Sequence, residues 1–190
     1  MGGLLTRPAA ARAPVRGLVL ASASPQRRRL LKELRVPFRI VVAGVSEASR
    51  EKDPRRLVTL LALRKARAVA RRHPNALILG ADTVVVSAGR ILGKPADPAE
   101  GRRMLQLLSG RTHRVVTGIA VAGPLAASEV VETKVTFRAL TDAQIAWYVA
   151  TGEGRDKAGG YASQARAGAF IESLEGSPTG VIGLPLTETL

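Results

Sequence analysis

Cysteine is absent from this 190-residue chain. Disulfides, thiolate metal sites and thiol nucleophiles are thereby excluded, and the composition suits a reducing compartment, so a cytoplasmic location is expected. Histidine is almost absent too. His73 precedes a proline after a helical run and His113 lies in a strand-like stretch, so the two share no ligand spacing and argue against a histidine-held metal. Aromatic residues are only 3%, which leaves few stacking platforms for single-stranded nucleic acid. No run approaches the roughly 20 apolar residues that cross a bilayer, and no membrane partner is expected. Acidic side chains number 15 against 29 Lys and Arg, a net charge of +14. Such an excess attracts polyanions. The arginines are nevertheless scattered over helix faces and the amino terminus, without a nucleic-acid-reading motif, so no stable nucleic-acid partner is expected and nucleotides fit as well.

With 46% hydrophobic residues the chain can bury one core, arranged as two lobes around a cleft. Residues 1–17 are rich in Arg and Ala, contain no acids and carry Pro8 and Pro14. They lack the apolar core of a secretory signal and read as a disordered extension ahead of a domain over 18–190. Leu18 to Ala21 reads as a strand, Ser22 to Ser24 as a loop, and Pro25 as the first residue of a helix whose N–H groups and partial positive charge face that loop, a seat for phosphate. Phe38 to Val42 is a second strand. A polar loop from Gly44 carries Glu47 and ends at Asp53, the N-cap of a helix from Pro54 on which Lys65 sits among arginines, a pattern whose ordinary meaning is a solvated face.

Farther along, Leu77–Gly80 and Thr83–Val86 read as buried strand with Asp82 between them. A carboxylate without a partner in a sheet core costs several kcal/mol unless a cation or a catalytic task compensates it. Gly80 and Ala81 would leave room for a ligand beside it. Residues 87–90 turn a hairpin, Gly93-Lys94-Pro95 opens a loop, and Asp97 to Glu100 is a capping box starting a helix to about Leu108. Arg111–Val121 and Val130–Phe137 form an antiparallel pair, and a second box, Thr141 to Gln144, opens a helix to Ala150. The stretch from Asp156 to Gln164 has neither helical nor strand period and reads as a functional loop, with strand-like segments following over Ala169–Leu174 and Gly180–Leu186. The pattern predicts one α/β domain with a mixed, curved sheet flanked by helices around a deep cleft.

The polar oddities are Glu47, Asp82, Lys65, Lys94, Lys157, Gln164 and the Ser22–Arg27 loop. Together they suit a metal-bound polyphosphate, with carboxylates for a hard cation, lysines and a helix N-terminus for phosphate oxygens, and an amide for a base edge. No Walker loop or dinucleotide glycine fingerprint is present. In these motifs, with Leu20 to Pro25, Gly80-Ala81-Asp82-Thr83, Gly93-Lys94-Pro95, Leu108 to His113, Asp156 to Gly159 and Gly183 to Leu186, the chain closely resembles the Maf family of nucleoside triphosphate pyrophosphatases. The resemblance implies an ITPase-like α/β fold, often dimeric, and cleavage of a nucleoside triphosphate to monophosphate and pyrophosphate with a divalent cation, Mg²⁺ first and Mn²⁺ or Co²⁺ as alternatives. It makes Asp82 the base that activates water, Glu47 with Asp82 the metal ligands, and Ser22, Arg27, Lys65 and Lys94 the residues around the phosphates, with Lys157 beside them. Thr83 and Gln164 are similar to the branch that prefers dTTP and UTP. The alternatives are a 7-methyl-GTP pyrophosphatase of the same family and a catalytically weak, nucleotide-binding regulator of cell division. One departure stands out: Gln26 occupies a position where that branch usually carries arginine, and Gln lacks the charged five-donor fork.

Overall fold

A computed structural model describes residues 17–190. The expected extension therefore lies outside the described residues except for Gly17, whose carbonyl already accepts from the Leu77 N–H at 3.1 Å and so belongs to the domain. The elements in chain order are β1 (Leu18–Leu20), α1 (Pro25–Glu33), β2 (Phe38–Ile40), α2 (Pro54–Ala70), β3 (Leu77–Ser87), β4 (Arg90–Leu92), α3 (Pro98–Leu108), β5 (Thr112–Ala122), β6 (Ala127–Phe137), α4 (Asp142–Thr151), β7 (Ile171–Glu175), α5 (Pro178–Ile182) and α6 (Leu186–Thr189). The strands form one mixed sheet in the order β2-β1-β3-β5-β6-β7, with β4 paired to β3. β1 runs parallel to β2 and β3, and the remaining pairs are antiparallel. No helix among the described residues is long and apolar enough to cross a membrane.

The register of β3 creates the cleft. One edge of β3 is paired with β5 from Ile78 to Val86. The other edge is shared: β1 covers it over Leu77–Leu79 and β4 over Val85–Ser87. Residues 80–84 have no strand on that side, so the sheet has a notch, and Asp82 lies at its centre. Side chains alternate across a strand. Ile78, Val84 and Val86 face α2, whereas Leu79 and Ala81 pack on α1 and Val85 on α3 and α4. The face opposite α2 is thus covered by two separate clusters, one around Leu30, Leu31 and Leu184 and another around Leu105, Phe137, Tyr148 and Phe170. These are the two lobes.

The helix starts obey their caps. Ser24, Asp53 and Asp97 each accept from the N–H three residues on, with proline in the first turn. Thr141 and Gln144 form the full reciprocal box. At Asp97 the box is incomplete: Glu100 reaches past the N-cap residue to the Ala96 N–H at 2.6 Å. The largest correction concerns Gly180–Leu186, which is not strand. Ser177 caps α5, accepting from the Gly180 N–H at 3.0 Å with Pro178 in its first turn, and α6 follows Pro185. Ala169 and Phe170 close a short 3-10 segment, so that strand begins only at Ile171. β2 stops at Ile40, short of Val42, and β6 starts earlier than expected, at Ala127.

Candidate functional site

Asp82 is buried, but it is not unpaired. The Lys65 Nζ lies 2.5 Å from Asp82 Oδ1 and 2.6 Å from Glu47 Oε1, so one ammonium joins both carboxylates. The arginine-rich neighbourhood of Lys65 suggested a solvated face, yet Lys65 is only 9% exposed. Glycines explain the reach. A Cβ on Gly80 would lie 2.4 Å from the Ala62 carbonyl oxygen, and one on Gly118, the cross-strand partner of Asp82, would lie 2.8 Å from that of Val58. The backbone of α2 therefore sits directly on the sheet and lowers Lys65 onto the notch. The space expected for a ligand at Gly80 and Ala81 is taken up instead, by α2 on one face and by Leu20, Leu30 and Leu31 on the other. Substrate must approach Asp82 along the open edge of β3.

Glu47 comes from the loop before α2 and is half-exposed, with Lys94 Nζ 3.9 Å from Oε2. Burial works against its ionisation, but the hydrogen bond and charge of Lys65, with Lys94 and Arg27 behind them, hold its carboxyl below the usual range. It is a carboxylate at neutral pH.

Across the notch, Arg27 projects from the first turn of α1. Its Nε donates to the Gly183 carbonyl at 2.7 Å and its Nη2 to Thr83 Oγ1 at 3.1 Å. Burial pulls the Arg27 pKa down, and Asp82 and Glu47 work to keep the proton on. Ser22 Oγ accepts from the Ser24 N–H, folding the loop back before the helix. Gln26 lines the same wall, but its Oε1 is 3.2 Å from Ser24 Oγ, so the amide is turned toward the cap. The far wall is the loop from Asp156 to Gln164. It is anchored by the Gly159 N–H to the Gly93 carbonyl at 3.0 Å and by the Ala162 N–H to the Tyr148 hydroxyl at 2.9 Å. Lys157 pairs with Asp156, and Gln164 makes no hydrogen bond to the protein among the described residues.

These groups enclose a cavity of ≈ 570 Å³, within the range of small-molecule sites. Ser22, Gln26, Arg27, Glu47, Lys65, Asp82, Thr83, Lys94, Lys157 and Gln164 all line it, and between the polar walls lie Val85, Ile91, Val115 and Tyr161. Every expected site residue is thus in one cleft. Thr117, whose hydroxyl meets Thr83, and Gly180, whose carbonyl accepts from Thr117, were not singled out by the sequence, and Gly183, whose carbonyl accepts from Arg27, stood in a motif without a role. The apolar periodicity of β5 and the misread strand over Gly180–Leu186 concealed them.

Glu47 and Asp82 already bring one oxygen each to a single cationic atom, so the pair fits a hard divalent ion. Among the described residues no three His, Asp or Glu cluster tightly enough to hold a metal on their own. The remaining ligands would have to be phosphate oxygens and water.

A family model described as "Maf-like protein" matches residues 17–190. Several curated proteins similar to this chain carry the name dTTP/UTP pyrophosphatase. That of Deinococcus radiodurans is 49% identical over 174 residues, covering 91% of this chain and 89% of the relative. That of Symbiobacterium thermophilum is 51% identical over 177 residues, 91% of this chain and 90% of its own. That of Moorella thermoacetica is 52% identical over 176 residues, 90% of each.

Proposed function

The chain belongs to the Maf-like family, and on that premise we propose that it is a nucleoside triphosphate pyrophosphatase acting on dTTP and UTP, releasing the monophosphate and pyrophosphate. The observation that carries this reading is the convergence of Glu47 and Asp82 on one cationic position at the open edge of β3, facing Arg27 and Lys94 across the same cleft. Relatives about half identical over nine-tenths of the chain bear the matching name.

In this reading Glu47 and Asp82 would hold Mg²⁺, with Mn²⁺ or Co²⁺ as substitutes, and such an ion would supply neutralisation of phosphate charge. Asp82 takes a proton from a water molecule as the water oxygen bonds to the α-phosphorus. The bond from that phosphorus to the bridging oxygen breaks, and pyrophosphate leaves. Arg27, Lys65, Lys94 and Lys157 offset charge on the phosphate oxygens, and the Ser22–Ser24 loop supplies N–H donors ahead of α1. Gln164, with its amide unspent, meets the carbonyl and imide edge of uracil or thymine. A homodimer in the cytoplasm completes the reading.

The test is a panel of triphosphates incubated with the protein and Mg²⁺, with products separated. UTP and dTTP should yield monophosphate and pyrophosphate faster than 7-methyl-GTP does, and chelator should abolish turnover. Orthophosphate and the nucleoside diphosphate as products would overturn the reaction class, whereas 7-methyl-GTP as best substrate would overturn only the branch.

A further inference from the structure

Thr117 lies on β5 and is 1% exposed. It does not line the cleft. Its Oγ1 donates to the Gly180 carbonyl at 2.8 Å and sits 3.0 Å from Thr83 Oγ1. A hydroxyl has one proton, and a carbonyl can only accept. The Thr117 proton is therefore spent on Gly180, so Thr83 must be the donor in the Thr83–Thr117 contact. Thr83 then has no proton left, and it accepts from the Arg27 Nη2, which can only donate. The direction of every bond is fixed: Arg27 to Thr83, Thr83 to Thr117, Thr117 to Gly180.

The chain closes on itself. The Gly180 carbonyl also accepts from the Gly183 N–H at 3.0 Å, and the Gly183 carbonyl accepts from Arg27 Nε at 2.7 Å. Thr117 thus reaches one anchor of the guanidinium directly, through Thr83, and meets the other at one remove, through a Gly180 carbonyl that shares the Gly183 N–H with the Thr179 carbonyl. Gly183 itself sits at φ 122, a backbone conformation that favours glycine, and a Cβ there would lie in ordinary contact with the fork, 3.4 Å from Arg27 Nε and 3.5 Å from Thr83 Oγ1. A planar guanidinium with two of its edges fixed presents its remaining donors in one orientation.

We propose that Thr117 is a positioning residue for phosphate recognition, acting through Thr83 to hold Arg27. This rests on the reading of Arg27 as a phosphate-binding residue. It reassigns Thr83 as well, because a hydroxyl whose proton is committed to Thr117 has none to give a base carbonyl. The Thr83 oxygen keeps a second lone pair that can accept from a base N–H, so Thr83 joins the phosphate end to the base end of the cleft, beside Gln164.

Inorganic tripolyphosphate, which has no base, separates the two roles. Binding by calorimetry should weaken about tenfold in both Thr83→Val and Thr117→Val, the order of one net hydrogen bond to a charged group. The hydroxyl restored in Thr117→Ser should recover most of that loss. With UTP and a purine triphosphate, Thr117→Val should lower kcat/KM by a common factor, leaving their ratio unchanged. The proposal is overturned if Arg27→Ala loses tripolyphosphate while Thr117→Val binds it as wild type. It is equally overturned if Thr83→Val, which alters only the cleft-facing link and so reports even where the core variant does not fold, shifts the nucleotide ratio without weakening tripolyphosphate. Unchanged tripolyphosphate binding in Arg27→Ala would instead refute the phosphate reading of Arg27, and the proposal with it.

Discussion

An amide at position 82 would keep the shape of the carboxylate while removing its basicity and its charge. Lys65 would retain Glu47 as a partner, so the fold should survive Asp82→Asn while UTP hydrolysis falls by about 10² or more. Near-normal turnover would place the base elsewhere. Glu47→Gln tests the cation separately: it keeps one acceptor beside Lys65 but removes a charged oxygen ligand. A rise in the Mg²⁺ concentration for half-maximal activity is expected, and an unchanged requirement would remove Glu47 from the metal site. At this scale the sequence was readable in its kinds but not in its pairings. An acid between strand-like runs marks itself by its cost, whereas Lys65, 17 positions earlier, looks like any lysine on a basic helix until the helix is laid on the sheet. Thr117 is less visible still, since a threonine in a β-branched strand needs no explanation.

Close packing of α2 is what converts those residue types into a site. Gly118→Ala would put a methyl group 2.8 Å from the Val58 carbonyl, a clash with helix backbone that no rotamer relieves. The helix must lift, which costs about 1 to 3 kcal/mol and draws Lys65 away from Asp82. We expect a lower urea midpoint together with a lower kcat. As a stability control, Gly93→Ala meets nothing within 4 Å and should leave the midpoint unchanged. If Gly118→Ala behaves like that control, the glycines are not what seats α2. The starts of α1, α2 and α3 were legible because a polar N-cap followed by proline acts on local N–H groups. The same signal at Ser177-Pro178 was outweighed by the apolar run after it, and a five-residue helix is too short to show a period. The unread part of the fold is the notch in β3, since the span covered by β1 and by β4 depends on register, which no local pattern states.

At the scale of the whole molecule, the lobe that carries Lys157 and Gln164 is held by an aromatic cluster built on His113. The imidazole Nε2 is 2.8 Å from the Tyr161 hydroxyl, and the ring lies edge-on to Phe137 and Tyr161. Burial takes the His113 pKa down to about 4, an effect the Arg111 carbonyl offsets only in part. The folded value lies below the ordinary 6.5, so as the pH drops beneath about 6.5 the unfolded chain binds a proton that the folded chain refuses. Stability is therefore lost progressively between pH 6.5 and about pH 4, and no more is lost through this residue once both states are protonated. The shift corresponds to about 3 kcal/mol over that window. Glu47 and Glu132 act lower. At the first, burial is outweighed by Lys65, Lys94 and Arg27 together, and at the second the hydrogen bond from Arg55 leads, so both are held below the ordinary 4.5 and their contributions disappear as the pH falls through those depressed values. Urea unfolding of wild type and His113→Phe between pH 7 and pH 4 isolates the imidazole. The phenyl ring keeps the edge contacts but leaves the Tyr161 hydroxyl without its partner, a loss that does not depend on pH in this range. The variant should start less stable at pH 7 and then decline less steeply, the two curves converging as the pH approaches 4. Parallel curves would mean that the acid sensitivity of this lobe comes from its carboxylates and not from His113.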